Sequence, residues 1–191
     1  MKNYGTDVTG TNKVIVVTGL PGTGKSRLIK SVILPKLAKS KKGTIVIDPQ
    51  MEYSGGGNIF VYRLTSYADA EQETEGLIRF ILANKGAIGT LIIDESNVVF
   101  NKMVLSPAAK KLVNTLRHEG VDLIAIARRP TDINITISEL ARERYIFKSM
   151  GVNDIKRLNE IIDGLGDKAK ALSAHDYLHV INDTDVYLVK A

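Results

Sequence analysis

The chain has 191 residues, 44% of them apolar, and a formal charge of +5, which suits one domain around a single core and an anionic partner without demanding one. It has no cysteine, and its three histidines, His118, His175 and His179, share no helix-face spacing, so a disulfide framework and a thiolate metal centre are excluded. No apolar stretch approaches the roughly 20 residues that a membrane span needs.

Met1 to Asn12 is polar and rich in glycine and threonine, which reads as a flexible tail and not as a signal peptide, leaving 13–191 as one domain. Val14-Ile15-Val16-Val17 is a run of β-branched residues and reads as a buried strand. Directly after it, Gly19-Leu20-Pro21-Gly22-Thr23-Gly24-Lys25-Ser26 matches the phosphate-binding pattern G-x-x-x-x-G-K-[ST] in full. Glycines let such a loop wrap an anion with its N–H groups pointing inward, and the helix that follows presents its positive end. The binding residues are therefore Gly19, Pro21, Gly22, Thr23, Gly24, Lys25, Ser26 and Arg27. Lys25 is placed to reach the β- and γ-phosphates of ATP, and the Ser26 hydroxyl to ligate Mg²⁺.

Leu28, Ile29, Val32, Ile33 and Leu37 recur at helical spacing, so the spacing predicts a helix from Lys25 to about Lys39 that Pro35 kinks or cuts short. The seven basic residues between Lys25 and Lys42, with no acid among them, read as a solvated helix face. Thr44 to Asp48 is a short buried strand, and Ile59 to Tyr62 follows the glycines at 55, 56 and 57 as another. Ser66 is placed to cap a helix that carries Leu77, Ile78, Ile81 and Leu82 and stops at Gly86.

Thr90-Leu91-Ile92-Ile93-Asp94-Glu95 is the second landmark. In an open α/β sheet the ligand lies beyond the carboxyl ends of the strands. Asp94 is then placed to hold Mg²⁺ in the manner of a Walker B aspartate, and Glu95 to orient and deprotonate the water that attacks the γ-phosphate. Such a pair favours hydrolysis over transfer to a small acceptor.

Ser106-Pro107 starts a helix through Leu116 that Gly120 ends. Val121 to Ala127 is a strand, Tyr145 to Phe147 a short one, and Asn153 to Asp163 a helix. Tyr177 to Ile181 and Asp185 to Val189, joined by Asn182-Asp183-Thr184, read as a β-hairpin. The alternation predicts a mostly parallel sheet covered by helices on both faces, with an antiparallel hairpin at the end.

The order Gly-Leu-Pro-Gly-Thr-Gly-Lys-Ser, Ile-Val-Ile-Asp-Pro, Leu-Ile-Ile-Asp-Glu, Leu-Arg-His-Glu-Gly and Ala-Arg-Arg-Pro resembles the HerA/FtsK superfamily of DNA-pumping ATPases. Its smallest members, the genome-packaging ATPases of membrane-containing archaeal and bacterial viruses, are similar in size. The resemblance covers nearly the whole chain from Val14. It implies a P-loop NTPase fold of the RecA-like/ASCE type and a homo-oligomeric ring, a pentamer or hexamer, that hydrolyses ATP between subunits and moves double-stranded DNA without regard to sequence. It further implies a place in the host cytoplasm or at the virion, with a capsid vertex as a docking partner.

In such rings a neighbour's arginine completes each site, and a group of this kind contributes about 10³ to 10⁵ in rate. Arg117 matches a position where the family often carries arginine, and Arg129 and Arg144 are the other candidates. Where the family usually has glutamine before Arg-Pro, this chain has Arg128, which can donate to a phosphate oxygen but cannot accept a hydrogen bond from water. Arg128 is a charged sensor of the γ-phosphate, or it faces a neighbouring subunit or DNA. Asp48 either sits near the site or simply ends its strand before a turn. Lys102 is a candidate DNA contact. Two other readings stand beside the motor: a P-loop small-molecule kinase, and a nucleotide-dependent phage assembly or secretion factor.

Overall fold

Strands that are apolar along their whole length must be covered on both faces, and the architecture follows from that requirement. The computed structural model describes residues 13–84 and 86–190; the expected tail, 1–12, lies outside them. The strands β1 (Val14–Thr18), β2 (Gly43–Ile47), β3 (Ile59–Tyr62), β4 (Ile88–Ile93), β5 (Asp122–Ala127), β6 (Ala141–Phe147), β7 (Tyr177–Ile181) and β8 (Asp185–Val189) form one sheet in the order β3-β2-β4-β5-β1-β6-β7-β8. Pairing is parallel from β3 to β6 and antiparallel from β6 through β8. The fold is therefore that of a P-loop NTPase, with the antiparallel hairpin at its end.

Alternate residues of each strand feed opposite layers. Ile15 and Val17 pack with Leu28, Ile29, Ile33 and Leu37 from the helical stretch after the phosphate loop. Val14 and Val16 face the other way, toward Ile78 and Ile81 of α3 (Ala70–Ala83) and Leu112 and Leu116 of α5 (Pro107–Glu119). Burying each such side chain contributes about 1.5–3 kcal/mol. A third cluster joins Ile146 and Leu178 to Leu158 of α7 (Val152–Ile161) and Leu165 of α8 (Leu165–Lys170).

The first helix runs as expected but is not uniform. Lys25–Leu28 (α1) and Leu34–Leu37 (α2) are α-helical, while Ile29–Ile33 between them is a π-helical turn closed by the Leu34 N–H on the Ile29 carbonyl. Pro35 cannot donate to the Ser31 carbonyl and its ring crowds that group, so the turn before it widens.

Ser66 does not cap α3. Asp69 occupies that position, and the Ser66 hydroxyl instead accepts from Ala68 N–H at 3.1 Å. Glu73 reaches back from the first turn to the N–H groups of Thr65 and Ser66, and so takes over their satisfaction. The strand expected at Tyr145 begins four residues earlier, at Ala141, because the polar Glu143 and Arg144 are internally paired. The short helices α4 (Ser96–Val99), α6 (Ile135–Leu140) and α8 were not expected.

Candidate active site

The phosphate loop rests on the end of β6. Leu20 N–H donates to the Lys148 carbonyl at 3.0 Å, and Gly19, at φ +150°, approaches Phe147 so closely that a Cβ there would lie 2.4 Å from the Phe147 Cβ. Only glycine fits this position. Pro21 and Gly22 are exposed, whereas Thr23 is buried and its hydroxyl donates to the Leu20 carbonyl at 2.7 Å. Lys25 Nζ donates to the Gly19 and Leu20 carbonyls at 2.7 and 3.0 Å, so its ammonium lies over the mouth of the loop. Burial pulls its pKa down, against the Glu95 and Asp94 carboxylates nearby.

Glu95 and Asp94 leave the end of β4, and β5 stands between that strand and β1. The inserted strand carries Arg128 at its own carboxyl end, between the acidic pair and the loop. Arg128 Nε donates to Glu95 Oε1 at 2.7 Å, and this hydrogen bond is the main cause of the arginine's raised pKa. Glu95 is held in a left-handed conformation, φ +47°, with its N–H on Asp94 Oδ1 at 2.9 Å. Asp94 is 6% exposed. Burial, only partly opposed by the Glu95 N–H, pushes its carboxyl up to about 6, so near neutral pH its negative charge is poorly solvated and invites a cation.

The residues fit a hydrated divalent cation. Ser26 ends the loop, Asp94 leaves the strand end two strands away, and Tyr53, 3% exposed, interacts with both while its buried hydroxyl makes no hydrogen bond. A hard, oxygen-seeking ion matches such a donor set.

Beside the loop, a cleft of about 220 Å³ is lined by Gly24, Arg27, Leu28, Phe147, His175 and Tyr177 among others. It has the size and apolar walls that suit a flat heterocycle, with Arg27 exposed at its rim.

The other arginines separate. Arg129 Nε pairs with Asp154 of α7 at 3.0 Å while its side chain stays about half exposed. Arg144 is 3% exposed and grips Asp183 through Nε and Nη2 at 2.7 and 2.9 Å, an enclosed pairing that gives it a structural role within its own chain. Arg117 belongs to α5 shortly before β5 begins, a strand length of roughly 20 Å from the carboxyl edge where its own loop lies; its side chain is outside the described ones. Lys102 is exposed and paired with Asp132 at 2.8 Å. Asp48 is buried and accepts from Glu52 and Tyr53 N–H at 3.0 and 2.9 Å, so it shapes the turn that carries Tyr53. Sequence reasoning missed Tyr53, although the Asp-Pro turn five residues before it marked a loop leaving a strand at the ligand edge.

A family model described as the methylmalonyl Co-A mutase-associated GTPase MeaB matches residues 4–102. Among curated proteins none matches. The genome packaging NTPase B204 of Sulfolobus turreted icosahedral virus 2, solved with AMPPCP, superposes with a TM-score of 0.81 at 23% identity, over 93% of this chain and 97% of that one. The DNA-packaging ATPase B204 of Sulfolobus turreted icosahedral virus gives 0.82 at 22% identity over 95% and 98%. VirB4 of Thermoanaerobacter pseudethanolicus gives 0.68 at 9% identity over 92% and 88%. The likeness thus covers more than nine-tenths of this chain, whereas the family model stops shortly after Glu95.

Proposed function

We propose that this chain, which belongs by its residues 4–102 to the P-loop family of the GTPase MeaB and by its fold to the HerA/FtsK-type ATPases, is an ATP-driven double-stranded DNA translocase of the genome-packaging kind. The observation that carries this is the Asp94-Glu95 pair set one strand away from the loop, with Arg128 on the intervening strand, in a fold that matches B204 over nearly its whole length.

In this reading the loop N–H groups and Lys25 bind the β- and γ-phosphates. Ser26 and Asp94 would hold Mg²⁺, which when bound would neutralise phosphate charge. Glu95 accepts the proton of the attacking water. Arg128 holds Glu95 until the γ-phosphate offers the guanidinium a second anionic partner; its transfer frees the carboxylate as a base and places a donor on the phosphate. Arg117, too far from its own loop, serves a neighbour in a ring, and Arg129 lies at the same edge as the loop for a contact between subunits. A small-molecule kinase normally carries no glutamate directly after its Walker B aspartate, so the Asp94-Glu95 pair favours water over a small acceptor.

One observation favours a second nucleotide: the matching family is described as a GTPase. The base therefore has to be tested directly, with ATP and GTP in parallel. Translocation is tested by displacement of a third strand from a duplex. The wild type is expected to displace it with ATP, and Glu95→Gln to bind ATP but leave the third strand in place; displacement by Glu95→Gln at the wild-type rate contradicts the motor.

A further inference from the structure

Tyr53 has no part in the reading above, yet its placement is specified by several independent contacts. Asp48 receives the N–H of residue 53 and that of residue 52, one on each carboxylate oxygen. Lys30, from the π-helical turn behind the loop, lies 5.3 Å from the Tyr53 ring centroid and 3.6 Å from the Glu52 carboxylate. The ring is part of the core layer under the loop helix. β2 and β4 are neighbours, with Asp94 N–H on the Ile47 carbonyl at 3.0 Å, so the turn after β2 lies alongside Asp94. A buried phenol hydroxyl left without a settled partner is costly, and here it stands between the two groups that would hold the cation.

We propose that Tyr53 is a positioning residue of the cation site: its hydroxyl, which makes no hydrogen bond here, accepts from Ser26 and donates to Asp94 once the cation is bound, which turns a Ser26 lone pair and the remaining Asp94 oxygen electrons toward one point. A phenol can do both at once because it carries one donor and an acceptor. Without it the Ser26 proton is free to point at the cation, and the Asp94 carboxylate is fixed on one oxygen alone, by the Glu95 N–H. The proposal rests on nucleoside triphosphate binding at the loop.

The test is the affinity of a non-hydrolysable ATP analogue for wild type and Tyr53→Phe, measured with Mg²⁺ and again in EDTA. Tyr53→Phe is expected to weaken binding about ten-fold with Mg²⁺, the value of one hydrogen bond to a charged group, and to leave binding in EDTA within two-fold. Melting in EDTA is expected to stay at or above the wild-type temperature, since an unsettled buried hydroxyl has been removed. Equal affinities with Mg²⁺ overturn the role of Tyr53 alone. An equal loss with and without Mg²⁺, or a fall of several degrees in melting, makes the hydroxyl an ordinary structural group and overturns it too. If the wild type binds no analogue in either condition, the nucleotide reading itself fails.

Discussion

At the scale of residues, the proposed control of hydrolysis turns on Arg128, which stands where the resembled family usually has glutamine. A glutamine there could not form the ion pair that Arg128 makes with Glu95 at 2.7 Å. The pair is half exposed on the arginine side, so its contribution to folding is small, about 1 kcal/mol or less. Arg128→Ala is expected to leave nucleotide affinity within a few-fold and to lower the rate of hydrolysis about 10² to 10³-fold, the usual loss of one donor to developing charge. A faster rate in Arg128→Ala would show instead that the arginine only restrains Glu95, and steady-state turnover decides between the two. Both landmarks were legible in the sequence because their chemistry is local: Gly19 to Ser26 and Asp94-Glu95 are contiguous. Tyr53 was not, because the role proposed for it depends on β2 and β4 lying side by side, which no spacing within one segment encodes.

At the scale of elements, polar pairs decide where the sequence misleads. β6 begins at Ala141 although Arg142, Glu143 and Arg144 look like a loop. Glu143 is paired with Lys13 and bonded to His179 and Tyr145; burial works against its charge, but the His179 and Lys13 hydrogen bonds outweigh it and hold its pKa below the usual value. Arg144 bridges β6 to the turn of the terminal hairpin through Asp183, which has a left-handed φ of +52°. Partners 39 residues apart leave no periodic signal, while the hairpin itself was readable because Asn182-Asp183 suits that turn. Arg144→Ala removes a buried guanidinium but leaves an Asp183 side chain that is 35% exposed, and is expected to cost about 2 kcal/mol, the value of hydrogen bonds to a charged group, or roughly 4–8 °C in melting temperature for a domain of this size. Hydrolysis per folded molecule should not change. A variant that melts normally but hydrolyses slowly would return Arg144 to the list of trans arginines.

At the scale of the whole molecule, the sheet order matters most. Placing β5 between β1 and β4 sets three strand ends side by side: those that carry the loop, Arg128 and the acidic pair. One edge thus collects Lys25, Ser26, Arg128, Asp94 and Glu95, while the helix that carries Arg117 ends at the far edge, so the role proposed for Arg117 requires a second copy of the chain. The net charge of +5 and the unselective chemistry of lysine and arginine fit contacts to a phosphate backbone, whose strength falls steeply with salt. The measurement that bears most directly on this account is the rate of ATP hydrolysis with and without double-stranded DNA of unrelated sequences, taken across a range of salt. The account predicts stimulation that is the same for every sequence and fades as salt rises; a rate indifferent to DNA at low salt, with phosphate passed to a small acceptor, contradicts it.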